Sequence, residues 1–217
     1  MIINIICDTK TSWFYSFIDD LKSSITKIHS GITVFLLDNT IDIQDDSDIS
    51  FFLSCEKIVK KEVFLKSHNN IVIHASDLPK WKWMSPMTWQ ILEWANIIPI
   101  TLFEMDEKID NWKWYIKDHL ALDGSELLPE IQKKLYLKIK EMALSFIENY
   151  PDNIDKPQIW EETFYRRRLK SDSELDIHKS IKDQFNLLRI ADNEKYPAFF
   201  VLNGNKYLLK IYKEIND

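Results

Sequence analysis

The sequence predicts an α/β protein built on a mainly parallel β-sheet. Short β-branched runs recur along the chain, and helical patterns separate them. Hydrophobic residues make up 45% of the chain and aromatic residues 13%, which is enough apolar material for a packed core. Strands that alternate with helices in this way form parallel sheets with right-handed crossovers.

The expected elements follow one another through the first two thirds of the chain. Strands are expected at 2–7, 32–37, 49–53, 71–74, 98–105 and 111–116. Helices are expected after Ser12, which is a good N-cap, at 60–66, and from Ser85-Pro86, where proline takes the first helical position. The longest helix opens at Ser125, and its apolar residues repeat every three or four positions.

The character of the chain changes at Pro151. A polar stretch at 152–158 is typical of a linker. A helix follows with apolar positions at Ile177, Ile181, Phe185 and Leu188, and then a hairpin around Asn203-Gly204. We therefore expect a catalytic domain at 1–150 and a C-terminal extension at 151–217, which packs on the core or at a dimer interface.

Composition excludes several classes of function. The chain has 217 residues and a net charge of −6, which argues against a nucleic-acid-binding protein. Its three glycines exclude a glycine-rich dinucleotide fingerprint and a P-loop. Cys7 and Cys55 give no disulfide framework, and no apolar run approaches a membrane span, so we expect a cytoplasmic protein without membrane contact.

A histidine at a strand end is the main candidate for chemistry. The run ending at His74 is followed by a polar turn closed by Pro79. Ligands of open α/β sheets bind at the carboxyl ends of strands, so His74 is expected at the lip of a cleft. The strand at 98–105 leads into a second polar segment containing Asp110, and a histidine–aspartate pair is suited to proton transfer.

Two basic regions are candidates for binding an anionic group. Lys10 and Ser12 lie at a strand-to-helix turn, where helix N–H groups attract phosphate. Tyr165 precedes the run Arg166-Arg167-Arg168, which is a candidate for contact with a diphosphate and a nucleobase.

Several motifs resemble one known family. The runs HASDLP, SPMTWQILE and IPITLFEMDEKID resemble the active-site block of formyltransferases that use N10-formyltetrahydrofolate, and they look closest to the short branch that formylates nucleotide-linked amino sugars. TFYRRRLKSDSELD, QFNLLRIADNEKYPAFF and NGNKYLLKI resemble the family's later segments. The resemblance implies a formyltransferase-type, Rossmann-like sheet with helices on both faces, plus a small C-terminal helix and β-hairpin.

The resemblance also implies roles for individual residues. His74 sits beside the formyl oxygen, and Asp110 orients it and raises its pKa, which favours a protonated donor. No metal is required. The expected folate contacts are Glu56, Lys57, Ile58, Met105, Asp106 and Glu107. The expected acceptor contacts are Lys10, Ser12, Ser76, Asp77, Lys80, Trp81, Tyr165, Arg166 and Arg167.

Some positions depart from the family pattern. Most formyltransferases carry asparagine two residues before the histidine, where this chain has Val72, so an oxyanion donor is missing. Ser76 or a backbone amide is the expected substitute. Bulky Trp81, Trp83 and Trp112 replace residues that are small in the family. One of these indoles, or Trp114, is a candidate for stacking on a pyrimidine base.

These observations favour a homodimeric sugar N-formyltransferase. The resemblance implies N10-formyltetrahydrofolate as the donor and the amine of a nucleotide-diphosphate 4-amino-4,6-dideoxy sugar as the acceptor, used for O-antigen or another surface glycan. Two alternatives stay open. One is a methionyl-tRNA formyltransferase, which the net negative charge and the absence of a large basic C-terminal domain disfavour. The other is a catalytically inactive folate- or nucleotide-binding protein of the same fold.

Overall fold

The computed structural model describes residues 1–28, 30–105, 113–159 and 161–214, except for the side chain of Trp83. Its centre is a six-stranded sheet with the order β2-β1-β3-β4-β6-β7. The strands are β1 (Ile2–Ile6), β2 (Thr33–Leu37), β3 (Ser47–Phe52), β4 (Ser67–His74), β6 (Ile97–Glu104) and β7 (Trp114–Ala121). β5 (Lys82–Trp83) pairs with β8 (Phe164–Tyr165) in a separate small sheet. The α/β class expected from the sequence is confirmed.

The direction of the strands changes halfway across the sheet. β1, β2, β3 and β4 are parallel, as expected. β6 is antiparallel to β4, and β7 is antiparallel to β6. The register places His74 opposite Thr101 and Ile71 opposite Glu104. The carboxyl end of β6 therefore lies beside the middle of β4 and not beside His74.

Five helices accompany the strands in the described part of the chain. They are α1 (Ile18–Thr26), α2 (Lys61–Phe64), α3 (Pro86–Leu92), α4 (Leu128–Glu148) and α5 (Phe185–Arg189). Ser12 accepts a hydrogen bond from the amide of Phe14 and caps a 3₁₀ turn that leads into α1, as predicted. No helix of the described residues is both long and apolar enough to cross a bilayer.

The longest helix begins three residues later than expected, at Leu128. The Glu126 carboxylate accepts hydrogen bonds from the amides of Asp123 and Gly124, which holds this segment in a turn. Glu130 then accepts a bond from the amide of Leu127 at the helix start. The apolar stripe of α4 is buried in the core as predicted, with members Ile131, Leu135, Ile139, Met142 and Phe146.

The expected helix over 177–188 was wrong in its first half. Gln184 donates hydrogen bonds to the carbonyl oxygens of Asp176, Lys179 and Ser180, which folds this segment into turns. Only α5, at its end, is α-helical. The hairpin is confirmed: β9 (Ala198–Leu202) pairs with β10 (Asn205–Leu209). Asn203 and Gly204 both have positive φ, as a two-residue hairpin turn requires.

Candidate active site

The carboxyl ends of the parallel strands form one edge of the sheet. β1 leads to Asp8, β3 leads to Ser54, and β4 ends at His74. Because these strands run side by side in one direction, their ends converge on a cavity of about 430 Å³. A volume of that size lies in the range of small-molecule sites.

His74 lies in the wall of this cavity. The described residues enclose its imidazole on most sides, although the cavity leaves it partly accessible. Burial disfavours the imidazolium and lowers the pKa of His74 to about 4. Burial by the described residues thus acts against the raised pKa that was expected from the sequence.

Asp8 fixes the loop that follows β3. Its carboxylate accepts hydrogen bonds from the amide of Glu56 at 2.9 and 3.1 Å and from the amide of Lys57 at 2.8 Å. Ser12 and Ser54 also join the two loops, with their hydroxyl oxygens 2.7 Å apart. The result is a fixed rim on one side of His74.

The opposite wall is apolar and comes largely from α4. Leu128, Leu135 and Ile139 line it, together with Ile73 and Ile100 of the sheet. Gln132 is the polar residue of α4 in this wall. No described residue hydrogen-bonds its side-chain amide, so the amide is available to a ligand.

The C-terminal extension supplies a third wall, which is charged. Arg167, Arg168 and Lys195 line the cavity there, with Asp192 and Tyr196. The Lys195 ammonium donates a hydrogen bond to the carbonyl oxygen of Thr11, so this wall contacts the β1 loop directly. Residues from both parts of the chain therefore enclose one site.

The structure brings part of the predicted site together. His74, Ser12, Glu56 and Arg167 all line the cavity. Lys57 follows Glu56 in the loop held by Asp8, and Ile58 is 96% exposed next to it. The expected folate-contacting loop thus lies at the rim of the cavity.

Lys10 lies elsewhere. Its side chain is 68% exposed, and its ammonium is 3.1 Å from the carboxylate of Asp38. Asp38 lines a second cavity of about 340 Å³ together with Asp19 and Asp42. The negative charge of these three carboxylates makes the second cavity unfavourable for a phosphate.

Trp81, Tyr165 and Arg166 form an aromatic cluster with Trp89 and do not line the main cavity. The Tyr165 ring stacks against Trp81, with centroids 6.4 Å apart, and against Trp89, at 6.1 Å. The Arg166 guanidinium lies 4.7 Å from the centroid of Trp89. It also makes a two-pronged ion pair with Asp172, at 2.5 and 2.7 Å. Its charge is already neutralised within the chain.

The residues after His74 are mostly used in the scaffold. Ser76 is fully buried, and its hydroxyl finds no hydrogen-bond partner among the described residues. Asp77 forms an ion pair with Lys117 at 2.5 Å. Lys80 is exposed and lies in the turn that Asp77 begins.

Met105 follows β6 and packs, as Val72 and Cys55 do, against a small apolar cluster of Ile6, Ile43, Phe52 and Val63. Asp106, Glu107 and Asp110 lie outside the described residues, as does Trp112. Trp114 has two lysine ammoniums near its ring, those of Lys117 and Lys156. Within the described ranges, no group of three or more histidine, cysteine, aspartate or glutamate side chains is placed to hold a metal ion.

Gln132 and Lys195 are among the cavity residues that sequence reasoning missed. Gln132 lies in a helical stripe that reads as pure core, although a glutamine among leucines and isoleucines was a detectable signal. Lys195 reaches the cavity through its contact with Thr11, which lies 184 residues earlier in the chain. No local sequence pattern indicates a contact over that separation.

The chain was compared with known proteins by sequence and by structure. No family model matches the chain. The methionyl-tRNA formyltransferase of Thermodesulfovibrio yellowstonii is 26% identical over 136 residues, which cover 61% of this chain and 44% of that protein. The corresponding enzyme of Thermosipho africanus is 28% identical over 145 residues, covering 67% and 47%. The chain spans less than half the length of these relatives.

Several solved structures superpose on nearly the whole chain. Methionyl-tRNA formyltransferase from Clostridium thermocellum superposes with a TM-score of 0.79 at 19% identity, covering 99% of this chain and 93% of that chain. The chain has the formyltransferase fold. A sugar N-formyltransferase from Shewanella sp FDAARGOS_354 gives 0.72 at 14% identity, covering 100% and 99%. HypX from Aquifex aeolicus in complex with tetrahydrofolic acid gives 0.72 at 17%, covering 96% and 37%.

Proposed function

We propose that the protein is a cytoplasmic sugar N-formyltransferase. It moves the formyl group of N10-formyltetrahydrofolate to the amine of a nucleotide-diphosphate 4-amino-4,6-dideoxy sugar for a surface glycan. The observation that carries the proposal is the composition of one cavity, which combines a histidine, an apolar wall and a cationic wall. Such a cavity suits a ligand with an amine, a deoxygenated ring face and an anionic tail.

The reaction requires a proton acceptor for the amine and a hydrogen-bond donor for the formyl oxygen. The attacking amine loses a proton, and negative charge develops on the formyl oxygen. A neutral His74 has one ring nitrogen that donates a hydrogen bond and one that accepts, so it serves either need without a prior change of charge. Asp110 is proposed as its partner that helps to receive the amine proton, and a proton is delivered to N10 of tetrahydrofolate as the bond between N10 and the formyl carbon breaks.

The rim loop is suited to the folate donor. Asp8 occupies the amide groups of Glu56 and Lys57, which leaves the carbonyl oxygens of this loop as acceptors. A pterin ring carries N–H donors along one edge, and the exposed Ile58 side chain offers an apolar contact. We assign the donor to this loop together with Met105, Asp106 and Glu107. When bound, the donor supplies the formyl group.

Incubation with the folate donor and a panel of nucleotide-linked amino sugars tests the proposal. We expect release of tetrahydrofolate together with a sugar product heavier by one formyl group, read by absorbance and mass spectrometry. Donor and nucleotide binding without transfer to any amine would instead support the inactive binding protein.

Replacing the histidine separates chemistry from binding. His74→Asn is expected to lower kcat by about 10²–10⁴-fold, which is the usual contribution of a positioned proton-transfer group. Binding of the nucleotide sugar should be unchanged. His119→Asn is the matched control, because His119 lies on β7 with an exposed side chain. Retained turnover in His74→Asn would remove this residue from the mechanism.

Formyl transfer to methionyl-tRNA is the second candidate. The sequence relatives carry that name, and the cationic wall suits a phosphate of tRNA as well as a diphosphate. Charged tRNA therefore belongs in the same assay. Formylation of methionyl-tRNA, with no transfer to any nucleotide sugar, would select this function.

A further inference from the structure

Arg168 is a largely buried cation that pairs with no carboxylate in the part of the chain that the structure describes. Its Nη2 donates to the Ser173 hydroxyl at 2.9 Å, and its Nη1 lies 3.5 Å from the Ile190 carbonyl oxygen. Its Nε is buried and has no hydrogen-bond partner among the described residues. The nearest candidate acid, Asp172, is already paired with Arg166. A buried charge of this kind is costly unless an anion compensates it.

The fully buried cations of the described chain show the contrast. Arg189 is 2.7 Å from the Glu126 carboxylate, and Lys82 forms an ion pair with Glu162. Both are compensated within the protein. Arg168 differs because its surroundings include the open cavity that His74 also lines.

Lys195 is held next to the same cavity by a rigid turn. The Asp192 carboxylate accepts hydrogen bonds from the amides of Glu194 and Lys195, both at 2.9 Å. The Ser173 hydroxyl that binds Arg168 also donates to the carbonyl oxygen of Tyr196, at 3.4 Å. One chain of hydrogen bonds therefore fixes both cations before any ligand arrives.

The described part of the C-terminal wall is cationic. Among the described lining residues of the cavity, three cations, Arg167, Arg168 and Lys195, compare with two carboxylates, Glu56 and Asp192. The Asp192 carboxylate is occupied by the turn it holds. On the β1 side, the hydroxyls of Ser12 and Ser54 add neutral donors.

We propose that Arg168 and Lys195 form the subsite that binds the diphosphate of the acceptor. The inference rests on the proposed function and names the chain groups that recognise its substrate. It places the anion at the wall made by the C-terminal extension and not at Lys10. A guanidinium with an unpaired Nε and a fixed ammonium match two groups of phosphate oxygens.

Calorimetric titration with pyrophosphate, dTDP and UDP tests the subsite without turnover. Arg168→Gln is expected to weaken dTDP binding about ten- to hundredfold, and Lys195→Gln about tenfold, because each removes a charge-assisted hydrogen bond. Lys10→Gln is the matched control and should leave the affinity unchanged. Inorganic phosphate and AMP serve as further arms, since a tRNA end offers only single phosphates.

The outcomes are distinguishable. The subsite is overturned if the wild type binds neither pyrophosphate nor dTDP, if Lys10→Gln alone weakens binding, or if AMP binds as tightly as dTDP. Loss of dTDP binding in both variants, with no formyl transfer by the wild type, supports the subsite and rejects the proposed enzyme. Circular dichroism confirms folding of Arg168→Gln. Lys195→Gln keeps the test open if that variant fails to fold, because its side chain is exposed.

Discussion

The charge state of His74 is the residue-scale feature on which the chemistry depends. Burial lowers its pKa to about 4, below the ordinary value of 6.5. We expect its imidazole to titrate below pH 5, measured by ¹⁵N NMR of the ring nitrogens against His74→Asn. A midpoint near pH 7 would mean that Asp110 outweighs burial and restores the protonated donor.

The same pKa has a consequence for stability. Between about pH 6.5 and 4 the unfolded chain binds a proton at this residue more readily than the folded chain. The free energy of unfolding should therefore fall as the pH drops through this window. His74→Asn should lose this part of the pH dependence in urea unfolding, whereas His119→Asn should keep it. Equal slopes in both variants would contradict the assignment.

Asp8 offers a second residue-scale test. An amide oxygen in Asp8→Asn accepts fewer of the bonds from Glu56 and Lys57, and the added NH₂ group opposes their N–H groups. We expect a loss of about 1.5–3 kcal/mol in unfolding free energy, which is typical of hydrogen bonds to charged groups. The KM for the folate donor should also rise, because the rim loop loosens. Asp19→Asn is the exposed control, and an unchanged KM in Asp8→Asn would dissociate this loop from the donor.

Residues at strand ends were predictable because local pattern places them. His74 ends a β-branched run, Ser12 caps a helix, and both line the cavity. Lys10 and Arg166 do not line the cavity, and their ion-pair partners, Asp38 and Asp172, could not be predicted from the sequence. Charge in a sequence does not reveal which cations are already paired.

At the scale of elements, α4 serves both as core and as cavity wall. Its buried stripe packs against the sheet, while Leu128, Gln132 and Leu135 line the site. Gln132→Leu is expected to leave stability nearly unchanged and to lower kcat/KM for the preferred sugar at least tenfold, because a polar contact to the ligand is lost. Its discrimination between sugars that differ in one hydroxyl should fall too. Lys133→Leu is the matched control, because Lys133 is exposed on the same helix and does not line the cavity. It should leave kcat/KM unchanged.

Elements were predictable where periodicity and packing agree. α4 and the hairpin β9–β10 follow their patterns closely, because apolar residues there are either buried on one face or joined by an Asn-Gly turn. The segment 177–184 carries a helical pattern, yet Ile177 and Ile181 are exposed. Side-chain bonds from Gln184 outweigh helix formation there, and such competition is not readable from spacing.

At the scale of the whole molecule, the hairpin presents an exposed apolar surface. Leu208 is 62% exposed, and Val201, Leu202, Tyr207 and Leu209 are also exposed around it. We propose that a second copy covers this surface. Light scattering should then give twice the mass of the chain, and Leu208→Lys should give one chain mass with folding retained. A monomeric wild type at micromolar concentration would contradict the proposal.

A buried ion pair contributes to the attachment of the extension to the sheet domain, beside the pairing of β5 with β8 and the contact of Lys195 with Thr11. Arg189 is 1% exposed and binds the Glu126 carboxylate at 2.7 Å, the Glu126 carbonyl oxygen at 3.0 Å and Asn96 at 2.9 Å. Arg189→Met removes the buried cation, so the buried Glu126 carboxylate keeps only the partly exposed Lys134 as a described partner. We expect the free energy of unfolding, measured in urea, to fall by about 3–5 kcal/mol. The control Lys210→Met breaks an exposed pair with Glu194 and should cost about 1 kcal/mol or less. Arg189 lies in α5, directly before the turn that carries Lys195. The Arg189 variant should therefore bind dTDP more weakly than the wild type, by at least the factor that its unfolded fraction accounts for. Full affinity in a destabilised but folded variant would show that the cationic wall forms independently of this pair.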